Sequence, residues 1–205
     1  MDALARLREG NRRFVERMQD PIPTPTLSPT RRQALSQVQR PFAIILGCSD
    51  SRVPAELVLG QGFGDLFVIR VAGNIVAPSQ IGSVEFAAAR FGTRLVVILG
   101  HTSCGAIAAT VEELQRPNSD QSPGLRAIVD RIRPAVEPLL ATPLGRDAQA
   151  LVAHAVRANI RAAADHLRHG SDVLERLIEH DGLLIVGAEY CLETGEVDFF
   201  DGTSG

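Results

Sequence analysis

The chain has 205 residues, 45% of them hydrophobic, three cysteines and a formal net charge of -3. That is enough for one compact domain with a real core, and too weak a charge to point to nucleic acid or an anionic membrane as partner. No run approaches the roughly 20 apolar residues that cross a bilayer, and so few cysteines, odd in number, argue against a disulfide framework and for a reducing compartment. Residues 1–13 carry Asp2, Arg6, Arg8 and Glu9 without an apolar stretch, so no signal peptide is expected and the expected location is cytoplasmic.

Residues 2–18 read as an amphipathic helix with Leu4, Leu7, Phe14 and Val15 on one stripe. Residues 21–29 hold four prolines and are expected to be extended. Such an arm and linker, residues 1–38, either covers its own body or packs on a second subunit. The body, residues 39–205, then alternates. Strands are expected at Phe42 to Gly47, Leu66 to Val71 and Leu95 to Leu99. Between them fall a short helix at Pro54 to Leu59 and a longer one opened by Ser79 and closed by Gly92. Ser103 is expected to cap a helix running to Leu114, with Cys104 in its first turn. Residues 125–138, 147–169 and 172–180 read as helices. In the second, Val152, Val156, Ile160, Ala163 and Leu167 share a face. Leu183 to Glu189 and Glu196 to Phe200, joined by a Thr194-Gly195 turn, are expected to form an antiparallel edge hairpin. The pattern predicts an α/β fold: a central, mostly parallel sheet flanked by helices, in a single domain.

Two loops stand out. Gly47-Cys48-Ser49-Asp50-Ser51-Arg52 follows the first strand, and Gly100-His101-Thr102-Ser103-Cys104-Gly105 follows the third. Ligands of open α/β sheets bind beyond the carboxyl ends of strands. Cys48, His101 and Cys104 form a two-thiolate, one-imidazole set that suits Zn2+ with a fourth position open, as in catalytic rather than structural zinc sites. A helix start at Cys104 favours its thiolate. The alternatives are buried packing, a Cys48–Cys104 disulfide, or a metal-free Cys48 nucleophile with His101 as base. Asp50 either takes the fourth metal position or orients a water there, and Arg52, a planar fork that grips a carboxylate, decides between the two. An ordinary loop ion pair is the plain alternative. His166 and His169 stand near a helix C-terminus, where cationic side chains are ordinary, and are not read as a second metal site. Gly105 is expected to allow close approach of helix and site, and Arg70 and Asn74 to shape the pocket or a subunit contact.

Cys48-Ser49-Asp50-Ser51-Arg52 followed by His101-x-x-Cys104-Gly105 resembles the β-class carbonic anhydrases. The likeness continues through Gly64-Asp65-Leu66-Phe67-Val68-Ile69-Arg70-Val71-Ala72-Gly73-Asn74 and Gly82-Ser83-Val84-Glu85-Phe86, and is dense from Gln39 to Ala109. The resemblance implies reversible hydration of CO2 to bicarbonate on one Zn2+ per subunit. It implies Cys48, His101 and Cys104 as zinc ligands, with Asp50 and Arg52 as a catalytic dyad. Asp50 becomes a fourth ligand only in a closed state. It implies Gln39, Phe67 and Phe86 as the substrate pocket, the last more familiar in the family as tyrosine. It also implies that the arm embraces a neighbouring subunit in a homodimer or dimer of dimers. One branch carries a tryptophan where this chain has Ile45, and with it a non-catalytic bicarbonate site; the absence of tryptophan argues against that regulation here. Hydrolysis of CS2 or COS on the same fold, and a zinc-binding relative without catalysis, are the alternatives; retention of both Asp50 and Arg52 argues against the latter. Two thiolates would cancel the charge of the metal, so the attacking water is expected to ionise at higher pH than in a three-histidine site unless Arg52 offsets this.

Overall fold

The computed structural model describes residues 2–19, 33–116 and 121–203; the proline-rich stretch 21–29 lies outside them. Five strands make one sheet: β1 (Ala43–Gly47), β2 (Leu66–Arg70), β3 (Leu95–His101), β4 (Leu184–Tyr190) and β5 (Val197–Asp201). Their spatial order is β2-β1-β3-β4-β5. The first four are parallel, and β5 adds antiparallel to β4 with a register irregularity at Gly187/Ala188. The expected hairpin is present. The chain reverses at Gly195, where Gly195 N donates to the Cys191 carbonyl and Cys191 N to that of Glu196.

The helices are α1 (Ala3–Gln19), α2 (Ala55–Val58), α3 (Pro78–Phe91), α4 (Gly105–Gln115), α5 (Pro123–Leu140), α6 (Ala148–His169) and α7 (Asp172–Asp181). Side-chain alternation along the central strands splits the core in two. Ile44, Leu46, Val96 and Ile98 face α3, α4, α5 and α6. Ala43, Ile45, Val97 and Leu99 face α1 and α2. The longest helix, α6, starts on Asp147, whose Oδ1 accepts from the amides of Gln149 and Ala150, each at 3.0 Å. It buries Leu151, Val156, Ile160, Ala163 and Leu167 in one stripe; Val152 is only half-buried.

Three local expectations are corrected. Ser79 does not open α3: Pro78 holds the first position, with Ala77 outside it. β3 runs on through His101. Ser103 does not cap α4: it stands at φ 55, and Cys104 itself is the cap residue.

Within the chain, the arm helix packs against the α2 side of its own sheet. Leu4 and Leu7 are buried. Asn11 Nδ2 donates to the carbonyls of Val58 (3.0 Å) and Gly195 (2.9 Å), and its Oδ1 accepts from Val197 N at 2.9 Å. At about 1 kcal/mol for each satisfied bond, this seats α1 on α2 and on the last hairpin. Gly10 permits the contact, because a Cβ there would stand 1.9 Å from the Leu59 oxygen. Among the described residues, no helix is long and apolar enough to cross a membrane.

Candidate metal centre

β1 and β3 are hydrogen-bonded neighbours, with Gly47 opposite Leu99. The residues that follow them therefore meet at one edge of the sheet. Cys48 leaves β1 directly, His101 ends β3, and Cys104 starts α4. The left-handed turn at Ser103 lets a single loop deliver both His101 and Cys104. The two sulfurs lie 4.0 Å apart, and the ligand atoms of Cys48, His101 and Cys104 all fall within 4.8 Å of one another. All three residues are buried.

His101 Nδ1 stands 2.9 Å from the carbonyl oxygen of its neighbour Thr102. As donor there, it fixes the tautomer that leaves the Nε2 lone pair facing the sulfurs. Thr102 is itself held, by its N–H to the Tyr190 carbonyl and by its Oγ1 accepting from Leu192 N. Nε2 is buried and, among the described residues, has no hydrogen-bond partner. A completely enclosed ring nitrogen aimed at two thiols is costly unless a proton or a metal ion fills the gap. The donor set and its spacing fit zinc.

The charges around the cluster favour the same reading. The Cys48 thiol is pushed far down by its hydrogen bond with Cys104, then by His101 and by the amides of Asp50 and Gly73, against the cost of burial. Cys104 is pushed up by its hydrogen bond with Cys48, by burial and by the charge of Cys48; the amides of Ala106 and Ile107 at the helix start work the other way and lose. Without a cation, two thiols this close do not both ionise, so the pair holds one proton between them. Burial pulls His101 down, but the Cys48 sulfur, the Thr102 carbonyl and the Asp50 charge outweigh it and leave it raised.

Asp50 is gripped by Arg52. Oδ1 accepts from Arg52 N at 3.0 Å and from Nε at 2.9 Å, and Oδ2 accepts from Nη2 at 2.7 Å. The guanidinium holds the Asp50 carboxyl well below the usual range. Oδ2 still lies 3.7 Å from His101 Nε2, so the carboxylate borders the centre while paired with arginine. Arg70 ties the loop down from β2: Nε donates to the Cys48 carbonyl at 2.9 Å and Nη2 to that of Asp50 at 2.6 Å. Its part is thus to fasten the ligand loop. Asn74 sits beside the centre at φ 43, buried, with Nδ2 lacking a partner among the described residues. Gly105 is not a close approach: a Cβ there would meet nothing within 4 Å.

Gln39, Phe67 and Phe86 do not join this cluster within the chain. Phe67 is opposite Ile44, three register positions before Gly47, about 10 Å back along the sheet. It forms a ring cluster with Phe86 (centroids 6.3 Å) and Phe91 (6.0 Å) on the outer β2 side, and Phe86 is 53% exposed. Gln39 is exposed and lines an open cleft of about 590 Å³ with Leu35, Arg90 and Phe91. Sequence reasoning missed Asn159, whose Nδ2 donates to the Gly73 carbonyl at 2.9 Å. A polar residue within the apolar stripe of α6 was the available signal.

The fold and the site define an α/β protein with a buried two-cysteine, one-histidine group able to hold a metal ion at the carboxyl edge of a parallel sheet. The family profile for carbonic anhydrase matches residues 43–197. The chain is 37% identical to carbonic anhydrase 2 of Mycobacterium tuberculosis over 192 residues, covering 92% of this chain and 87% of that protein. It is 36% identical to a carbonic anhydrase of Mycolicibacterium smegmatis over 193 residues, covering 94% and 89%. Among solved structures, the β-carbonic anhydrase CafA of Aspergillus fumigatus superposes with a TM-score of 0.76 at 25% identity, covering 98% of this chain and 91% of that one. The chain belongs to the β-carbonic anhydrase family.

Proposed function

We propose that this chain catalyses the reversible hydration of CO2 to bicarbonate and a proton, with one Zn2+ held by Cys48, His101 and Cys104. One observation carries the reading: a buried imidazole nitrogen with no partner, facing two thiols and bordered by an arginine-clamped carboxylate. When bound, zinc supplies the Lewis acidity that makes a water nucleophilic near neutral pH.

The residues of the chain do the rest. Asp50, kept ionised by Arg52, accepts a hydrogen bond from the attacking water and aims its lone pair. While Arg52 occupies both its oxygens, Asp50 stays off the fourth metal position; release from Arg52 would free it to become a ligand in a closed state. Phe67 and Phe86 offer an apolar wall that suits CO2, and the Gln39 amide can donate to anionic bicarbonate. Because these three stand away from Cys48 in their own chain, the reading includes a second copy whose Gln39 and aromatic edge complete the pocket. A homodimer or dimer of dimers follows, supported by the half-exposed Phe86. A reducing, cytoplasmic setting fits Cys48 and Cys104, which are close but unbonded.

The test combines zinc content with stopped-flow CO2 hydration for wild type and Asp50→Ala. One zinc per chain, fast hydration, and a loss of roughly 100-fold or more in kcat/KM for Asp50→Ala are expected. A zinc-loaded wild type inert toward CO2 but active on CS2 or COS would overturn the substrate. An undiminished Asp50→Ala enzyme would remove the role given to that carboxylate.

A further inference from the structure

This inference rests on the zinc reading above and extends it to a residue outside the ligand loops. Asn159 lies in α6, is 3% exposed, and donates through Nδ2 to the carbonyl oxygen of Gly73 across 86 residues of sequence. Gly73 in turn donates its own backbone N–H to the Cys48 sulfur, at 3.4 Å. The turn between them is unusual. Gly73 stands at φ 68 and Asn74 at φ 43, and consecutive left-handed residues persist only where the surroundings over-determine them. Ile132 and Ala106 press on the turn from the apolar side: a Cβ on Gly73 would come within 2.8 Å and 3.2 Å of their side chains. Asn159 provides a polar hold on the same turn.

The neighbour of Asn159 supplies a contrast. Ile160 packs on Gly100, where an added Cβ would meet its Cδ1 at 2.6 Å. Two adjacent residues of α6 therefore touch β3, which presents His101, and the Gly73 turn, whose amide meets the Cys48 sulfur. Ile160 does so by packing, next to His101. Asn159 does so by a directed hydrogen bond, next to Cys48. A buried amide amid Val156, Ile160 and Ala163 is costly unless satisfied, and the Gly73 carbonyl is what satisfies it.

We propose that Asn159 is a positioning residue of the metal centre: by fixing the Gly73 carbonyl, it keeps the Gly73 amide on the Cys48 sulfur. An N–H···S bond draws electron density off the thiolate, so the sulfur donates less to a bound cation and leaves it more electrophilic. In a site where two thiolates cancel a divalent charge, such a bond restores part of what the second sulfur removes.

The test uses the full chain loaded with Co2+, reading the sulfur-to-cobalt charge-transfer band and the melting temperature. Asn159→Leu keeps the volume and removes the donor; Ile160→Val loosens the same helix without touching Gly73. The charge-transfer band of Asn159→Leu is expected to move to longer wavelength, because a thiolate freed of its hydrogen bond gives up its electron more easily. Ile160→Val is expected to melt earlier with its band in place. An unmoved band in a cobalt-loaded Asn159→Leu overturns the proposal and leaves Asn159 a packing residue. A wild type that takes up no stoichiometric cobalt sinks the metal reading itself. Should Asn159→Leu not fold, wild type loaded with 113Cd decides: a cadmium coupling at the Gly73 amide proton and an exchange-protected Asn159 side-chain amide are both expected, and the absence of either overturns it.

Discussion

The carboxyl edge of β1 and β3 and the outer side of β2 belong to one sheet but are finished to different degrees. At the first, the three side chains of the Cys-His-Cys group are buried, the loops that carry them are tied by Arg52, Arg70 and Thr102, and Asn159 holds the adjoining Gly73 turn. At the second, Gln39 lies exposed in an open cleft and Phe86 is half in solvent. One chain completes the part that holds charge, where misplacement is costly. It leaves open the part that would meet an apolar gas and a small anion. The contrast assigns reactivity to the fold of a single chain and access to its surroundings.

The largest effect tests the finished side. Cys48→Ser replaces a soft donor and is expected to lose stoichiometric zinc, measured by elemental analysis, and with it at least about 1000-fold in CO2 hydration. Full metal retention would mean that the cluster is not the centre. The next experiment tests the unfinished side. Gln39→Ala and Cys48→Ala chains, each nearly inactive alone, are expected to recover up to roughly a quarter of wild-type activity when refolded together, because one mixed pocket in each heterodimer carries neither change. No recovery would place all working residues of a pocket in one chain. The smallest effect concerns pH. Arg52 holds the Asp50 carboxyl below its ordinary value. The stability this gives is therefore present above the unfolded value of about 3.9, and is lost only as pH falls through the lower folded value. The 13C carboxyl signal of Asp50 in the metal-free protein is expected to stay flat from about pH 8 to pH 5. The hydration rate, in contrast, is expected to be still rising above about pH 7, because two thiolates leave the centre neutral. An Asp50 midpoint inside that interval, or full activity already at about pH 6, would break the distinction.

What was legible in the sequence was local. Strands β1 and β3 announce themselves as apolar runs, and each carries its ligands within five residues of its end, so the centre follows once the strands pair. The helix starts misled where backbone geometry overrode residue preference. Ser103 reads as a cap yet sits in a left-handed turn, leaving the cap position to Cys104. Ser79 yielded to the fixed φ of Pro78. Asn159 was illegible because its partner is 86 residues away and its role exists only after α6 docks. Gln39, Phe67 and Phe86 carry a family likeness, but Phe67 is placed by strand register opposite Ile44, and Phe86, on a helix, and Gln39, in the segment before β1, are placed by packing that sequence spacing does not show.

The Asn11 clamp has a consequence for synthesis. Its partners include the carbonyl of Gly195, 184 residues later in the chain. As the polypeptide leaves the ribosome, α1 emerges before the sheet it will lie on, and its leucine stripe stays uncovered while that sheet is being made. Only when the final hairpin turns does the asparagine find its full set of acceptors and donor. Helix α1 is thus locked only after the β4–β5 hairpin has formed.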